Sequence, residues 1–154
     1  MKVKNLLVLL VLALSFAFVG LGCGPEEEDE AFPASFPSEL TAMLKNMGVS
    51  AFDEPVGDNV KYEKWLDAST TETETVFIQW TGCTAQDFAA YSQVYAGYGK
   101  GSRAFYNDAF ANLDMAAINF YATGADANNN DPQKPFTVEA GSIVFMGAKT
   151  KVAE

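Results

Sequence analysis

The chain has 154 residues, of which 49% are hydrophobic and 19% charged, and its formal net charge is −10. A chain of this length and composition is expected to form one folded domain with additional segments, and a wholly disordered chain is excluded. The acidic charge disfavours nucleic acid as a partner, because no basic stripe is available to contact phosphates. Since the sequence contains no histidine, histidine-based catalytic triads, general bases and metal sites are also excluded.

The first 22 residues have the layout of a secretory signal peptide. Lys2 and Lys4 form a short basic start, and a 14-residue apolar run from Leu6 to Val19 follows. This run is shorter than the roughly 20 residues that a membrane-spanning helix requires. We therefore predict that residues 1–22 direct export and are then removed.

The apolar run ends in a second pattern, VGLGC at residues 19–23. This pattern resembles the lipobox of bacterial lipoproteins, in which the cysteine thiol receives a diacylglycerol and the leader is cut just before it. The resemblance covers residues 1–30 and implies that Cys23 is lipidated. Gly20 departs from the lipobox, where leucine is usual three residues before the cysteine. Because Gly24 and not Asp follows Cys23, the resemblance implies no retention signal for the inner membrane.

Lipidation would make the membrane a partner of the protein through N-terminal acyl chains such as palmitate. Each buried methylene contributes about 0.8 kcal/mol, so two or three chains hold a protein firmly. The resemblance therefore predicts a location in the bacterial cell envelope, facing outside the cytoplasm, at the outer membrane if the cell is Gram-negative. Two alternatives remain open. Gly20 and Gly22 also suit an ordinary signal peptidase, which would give secretion without lipid, and an uncleaved leader would itself act as the anchor.

The segment after Cys23 predicts an extended spacer. Residues 26–30 are five consecutive acidic residues, which repel one another and bury nothing, and two prolines follow them. We interpret residues 23–37 as an acidic, lipid-anchored tether and residues 38–150 as a single α+β domain. Binding of a cation or a basic partner by the acidic residues is the alternative.

A stripe of apolar residues predicts a short helix over residues 38–47. The members of the stripe recur at i, i+3, i+4 and i+7 and are Leu40, Met43, Leu44 and Met47. Ser38 suits the start of this helix and Gly48 its end. We interpret the stripe as core packing, with a binding groove as the alternative.

The main helix is predicted over residues 84–98. Thr84 and Asp87 have the spacing of a capping box, and several glycines follow Tyr98. The aromatic side chains that share one face of this helix are Phe88, Tyr91, Tyr95 and Tyr98. We interpret this face as packing on a sheet, with stacking on a sugar as the alternative.

Alternating β-branched and aromatic residues predict the strands. The predicted strand segments are 60–65, 71–80, 103–110, 115–122 and 142–149. In the second segment Val76, Ile78 and Trp80 share one face, and Phe77 lies on the other. Because strands are grouped on both sides of the main helix, the order of elements predicts an α+β fold with an antiparallel sheet of four to five strands.

Residues 126–131 place Asp and Asn oxygens at alternate positions, as the start of an EF-hand calcium loop does. The pattern then fails, because Asp131 occupies the position of the glycine at the turn and Thr137 that of the bidentate glutamate. We interpret this segment as a solvated loop between two strands, since Asn and Asp tolerate turn conformations.

Cys83 is the second cysteine of the chain and stands just before the predicted helix start at Thr84. A helix N-terminus can lower the pKa of a thiol, but nucleophilic use also needs a base, and the chain has no histidine. We interpret Cys83 as a small packing residue. If Cys23 is not acylated, a Cys23–Cys83 disulfide is the alternative in an oxidising compartment.

No phosphate-binding loop, nucleophile elbow or zinc-ligand spacing is present in the sequence. We therefore predict no cofactor, no metal site and no catalytic residue, and a non-enzymatic role in binding or in envelope structure. The sequence leaves open whether the partner is a protein or a glycan. The alternative is a small surface hydrolase that acts through paired carboxylates, because the members of such a pair meet only in space.

Overall fold

A computed structural model describes residues 31–96, 108–128 and 131–152. Within these ranges the chain forms a four-stranded antiparallel sheet, a second sheet of two short strands and two α-helices, so the predicted α+β fold class is confirmed. The elements in chain order are α1 (Ser38–Asn46), β1 (Lys61–Asp67), β2 (Thr73–Thr81), α2 (Ala85–Ala96), a 3₁₀ turn (Asp108–Phe110), β3 (Met115–Tyr121), β4 (Ala125–Asp126), β5 (Thr137–Val138) and β6 (Ser142–Thr150).

The short helix α1 forms where the apolar stripe predicts it. Leu40 and Leu44 are fully buried, so the stripe packs into the core and its interpretation is confirmed. Glu39 in the first turn and Lys45 in the last turn complement the helix dipole. The helix ends at Asn46, and the positive φ of 85° at Gly48 lets the N–H groups of Gly48 and Val49 donate to the carbonyls of the last helical turn.

The folded part begins before α1. Phe32 is 9% exposed and Phe36 is 8% exposed, and both belong to the main core. The N–H of Phe52 also donates to the carbonyl of Ala31 at 2.8 Å, which ties the start of this segment to the loop after α1. The predicted domain boundary at residue 38 is therefore wrong, and the compact unit begins at Ala31.

The four-stranded sheet has the order β1–β2–β6–β3, with all neighbours antiparallel. β2 and β6 lie in the middle and are buried over more than half of their length, whereas β1 and β3 form the edges. A bulge between Tyr62 and Lys64 interrupts the pairing of β1 with β2. Four of the five predicted strand segments correspond to these strands.

The main core lies on one face of the sheet. Successive side chains of β2 point to opposite faces, as predicted. Val76, Ile78 and Trp80 point into the main core, while Phe77 belongs to a smaller cluster on the opposite face. The rings of Phe52 and Phe145 meet edge to face in the main core, with centroids 4.9 Å apart.

The second face of the sheet is covered by the hairpin of β4 and β5, which the sequence patterns did not predict. Phe136, just before β5, packs against Phe77 with ring centroids 5.6 Å apart. Lys64 on β1 holds the hairpin from the side: its ammonium donates to the carbonyl of Thr137 at 2.7 Å and lies 5.3 Å from the Phe136 ring.

The strand predicted over residues 103–110 is wrong where the structure describes it. Residues 103–107 lie outside the described residues, and Asp108–Phe110 form a 3₁₀ turn. The N–H of Ala111 donates to the carbonyl of Asp108, and that of Leu113 to the carbonyl of Phe110, which closes consecutive turns. Phe110 is fully buried and packs on Phe52 and Phe145, so the apolar character of this segment reflects the packing of a turn on the core and not strand alternation.

Helix α2 starts with the predicted capping box. The Asp87 carboxylate accepts from the Thr84 N–H at 2.7 Å, and the Asp87 N–H donates back to the Thr84 hydroxyl at 3.2 Å. Tyr91 is buried and Phe88 is half-buried against the core, as the packing interpretation requires. Tyr98, with the predicted end of the helix, lies outside the described residues.

Candidate functional site

A groove of about 340 Å³ lies beside the start of β1 and the end of β2. Its lining comes from the segment before α1, from the loop that joins α1 to β1, and from the two paired strands. The residues that line it are Ser35, Glu54, Pro55, Val60, Lys61, Tyr62 and Trp80. The groove therefore depends on the segment that the sequence patterns assigned to a tether.

The carboxylate of Glu54 is the fixed polar group of this groove. Its Oε1 accepts a hydrogen bond from the Ser35 hydroxyl at 2.7 Å and another from the Trp80 indole Nε1 at 2.9 Å. Trp80 is fully buried, and a buried indole N–H needs an acceptor. Two donors from packed parts of the fold thus orient the Glu54 carboxylate.

Tyr62 stands next to this carboxylate on β1. Burial raises the pKa of the Tyr62 phenol above its ordinary value, and the negative charge of Glu54 raises it further. The Tyr62 ring packs on Phe36, with centroids 5.6 Å apart, so its position is set by the core. At neutral pH the groove therefore presents a protonated phenol that can donate a hydrogen bond.

Lys61 places a positive charge on the same groove. Its side chain is exposed, and within the described ranges it makes no ion pair or hydrogen bond. Among the described residues that line the groove, Glu54 supplies the negative charge and Lys61 the positive charge. The arrangement can therefore bind a polar ligand by hydrogen bonds and opposite charges.

A second groove, of about 330 Å³, runs between α1, β1 and the end of β6. Three carboxylates line it, those of Glu39, Asp67 and Glu74, but none of these three residues is buried. A hydrolase of the paired-carboxylate kind needs an acid with a raised pKa, which burial provides. Within the residues that the structure describes, no group of three or more Cys, Asp or Glu side chains is placed to hold a metal ion.

The polar segment at residues 126–131 begins at the end of β4 and forms the first part of the connection to β5. The Asn128 amide donates to the carbonyl of Lys134 at 3.0 Å, and Asp131 accepts from the N–H of Gln133 at 3.0 Å. These side chains stabilise a turn between β4 and β5. The interpretation as a solvated loop is wrong in part, because Asp126 lies in β4 and Asn128 is buried. Asn129 and Asn130 lie outside the described residues.

Cys83 is buried between the end of β2 and the start of α2. Its thiol contacts the carbonyl of Trp80 at 3.5 Å, and it forms no disulfide with a described residue. Burial raises the pKa of the Cys83 thiol, and the charge of Asp87 adds to this, while a backbone hydrogen bond from Ile143 opposes it. The thiol therefore stays protonated at neutral pH, which agrees with a packing role and not a nucleophilic one.

We expect the Cys83 thiol of the folded protein to react with a disulfide reagent at least about tenfold more slowly than in the unfolded chain, since burial and the raised pKa both reduce accessible thiolate. The Cys23→Ser variant makes Cys83 the only cysteine, so absorbance after mixing with Ellman's reagent, with and without guanidinium, reports this thiol alone. Equal rates in the two conditions would contradict the buried position of Cys83.

Of the features that the sequence singled out, neither Cys83 nor the described part of the 126–131 loop lines the Glu54 groove. Cys23, the predicted lipidation site, lies outside the described residues. Cys83 and the 126–131 loop are far apart in sequence and serve packing and a turn. Glu54 and Lys61 were not singled out, because they come from a loop and a strand edge without a motif. The only sequence signal for the groove is the aromatic Trp80, which the alternation of β2 assigns to the core.

Among the described residues, no helix combines the length and apolar character needed to cross a membrane. Comparison with known proteins yields no match: no family model, no curated protein and no solved structure is similar to the chain.

Proposed function

We propose that this protein is a lipid-anchored, extracytoplasmic binding protein of the bacterial cell envelope and is not an enzyme. The observation that carries the proposal is the order of segments in the sequence: a basic start, an apolar run and the VGLGC pattern, followed by an acidic stretch and then a compact unit from Ala31. In this proposal the membrane is bound through acyl chains on Cys23, and the Glu54 groove is the ligand site.

The corrected boundary changes the predicted tether. Because the compact unit begins at Ala31, we propose a spacer over residues 23–30 in place of residues 23–37. This shorter spacer consists largely of acidic residues, which favour solvation over packing. In this proposal the domain works close to the surface that anchors it.

The anchor is tested by replacing Cys23 with serine. We expect the wild-type protein to sediment with membranes and the Cys23→Ser variant to appear in the supernatant, because the lipid has no other attachment point in this proposal. Fractionation of bacteria that produce each form, followed by immunoblotting, measures the change. The mass of the mature N-terminal peptide should show cleavage before Cys23 and acyl chains on it.

Cys83→Ser is the matched control, because it removes the other cysteine while leaving the VGLGC pattern intact. We expect this variant to stay with the membranes. If the Cys23→Ser variant also stays with the membranes, the lipoprotein proposal is wrong and an uncleaved leader is the better explanation. Release of both the wild-type protein and the variant would indicate secretion without lipid.

A further inference from the structure

The Glu54 groove holds two opposite charges, on Glu54 and Lys61, and neither forms an ion pair within the described part of the chain. The two hydrogen bonds to the Glu54 carboxylate both go to Oε1, so no donor from the described residues reaches Oε2. Glu54 is half-buried, which weakens its contact with water. Lys61 lines the same groove and forms no ion pair with a described residue. A partly buried charge gains most from a partner of opposite sign.

We propose that this groove binds a small zwitterion of amino-acid size, with the ligand's ammonium group at Glu54 and its carboxylate at Lys61. The inference rests on the proposed binding role of the groove and adds the chemical class of the ligand. A volume of about 340 Å³ accommodates a molecule of that size. A zwitterion satisfies both groove charges at once, whereas a simple cation or a simple anion satisfies one and is repelled by the other.

The uncharged part of the lining is consistent with this class. Tyr62 remains a neutral phenol beside Glu54 and can donate to the ligand or contact its ammonium group with the ring. Pro55 and Val60 form an apolar wall, which suits an aliphatic side chain. A sugar would hydrogen-bond with its hydroxyls but would leave both charges of the groove without a counter-ion.

The first experiment compares three ligands that share one branched aliphatic chain and differ in the ionised groups that they carry. L-leucine carries both groups, 3-methylbutylamine lacks the carboxylate, and 4-methylpentanoate lacks the ammonium group. Isothermal titration calorimetry uses the full chain in detergent micelles at neutral pH. We expect leucine to bind and each analogue to bind at least about tenfold more weakly, since a charge-assisted hydrogen bond contributes roughly that factor.

The second experiment tests whether leucine binds at the groove by substituting its two charged residues. Glu54→Gln removes the charge while keeping an oxygen for Ser35 and Trp80, and Lys61→Met removes the ammonium group at an exposed position. We expect each variant to lose at least about tenfold in leucine affinity. The matched controls are Glu72→Gln and Lys149→Met, which change the same residue types outside the groove and should leave leucine affinity unchanged.

Trp80 provides an optical signal for the same site, because its indole donates to the Glu54 carboxylate. The chain contains two tryptophans, so Trp65→Phe leaves Trp80 as the only one. In that background we expect leucine to change the emission of Trp80, and we expect the change to disappear when Glu54→Gln is added.

Three results would overturn the inference. Failure of leucine to bind at millimolar concentrations would show that the groove does not take this class of ligand. Binding of 3-methylbutylamine as tight as that of leucine would indicate a cation site, and the same result for 4-methylpentanoate would indicate an anion site. None of these results bears on membrane attachment, which the Cys23→Ser fractionation tests separately.

Discussion

Replacing Trp80 with alanine is expected to lower the free energy of unfolding by about 3–5 kcal/mol, because the substitution removes a fully buried large ring and leaves a cavity. The ring contacts Phe36, Phe52 and Tyr91, with centroid distances of 6.2, 6.0 and 6.0 Å. The substitution also removes one of the two donors that orient Glu54. Small domains have total stabilities of about 5–15 kcal/mol, so the variant should be close to unfolding at ambient temperature.

Equilibrium unfolding in urea, followed by circular dichroism, measures this effect. Trp65→Ala is the matched control, because Trp65 lies on the edge strand β1 and is only half-buried, and we expect it to cost clearly less. Trp80→Phe separates the two roles of Trp80, since it keeps most of the ring volume and removes the hydrogen bond to Glu54. A Trp80→Ala midpoint equal to that of wild type would contradict the buried position of the ring.

Removing residues 31–37 is expected to lower the thermal midpoint by more than about 8 °C, which corresponds to roughly 2 kcal/mol for a domain of this size. The deleted segment contains Phe32 and Phe36, which are both nearly excluded from solvent. Phe36 contacts Phe52 with ring centroids 5.3 Å apart, and Ser35 in the same segment donates to Glu54. The deletion therefore removes a part of the core and a wall of the groove together.

Two truncated chains, one starting at Ala31 and one at Ser38, make the comparison by differential scanning calorimetry. The chain from Ala31 is expected to melt close to the chain from Cys23, because residues 23–30 lie outside the compact unit. Phe36→Ala in the longer chain should reproduce much of the loss caused by the deletion. Equal midpoints for the Ala31 and Ser38 chains would mean that residues 31–37 add nothing to stability.

The elements that could be predicted from the sequence are those in which local pattern and tertiary environment agree. Along β2, Val76, Ile78 and Trp80 share the face of the main core and Phe77 lies on the opposite face, and both faces are covered in the folded chain. At Thr84 and Asp87, the capping box is complete within four residues and needs no distant partner. In both cases the information is contained within a short stretch of chain.

The tether prediction failed for a reason that lies in the prolines. Pro33 and Pro37 are typical of an extended spacer, yet here they frame a turn in which the N–H of Phe36 donates to the carbonyl of Pro33 at 3.0 Å. This turn places Phe32 and Phe36 on the core. Whether a proline-rich stretch packs or stays solvated depends on an apolar surface elsewhere in the fold, which no local pattern reports.

The groove could not be predicted because its parts meet only after folding. Trp80 reaches Glu54 across 26 positions of the chain, and Ser35 reaches it across 19. None of the three residues belongs to a recognisable motif: Glu54 lies in a loop, Trp80 in a strand, and Ser35 at the surface. The β4–β5 hairpin was missed for a similar reason, since two-residue strands are too short to show alternation.

The position of β6 determines when the fold can form. This strand lies between β2 and β3, and it pairs with residues far away in the sequence: the Gln79 amide donates to the Ser142 hydroxyl across 63 positions. Until residues 142–150 are available, β1 and β2 can form only a two-stranded hairpin, which is at best marginally stable in water, and β3 has no partner strand. Long-range pairing of this kind also makes folding slow. During synthesis from the N-terminus, the four-stranded sheet therefore cannot be completed until residues 142–150 have been made.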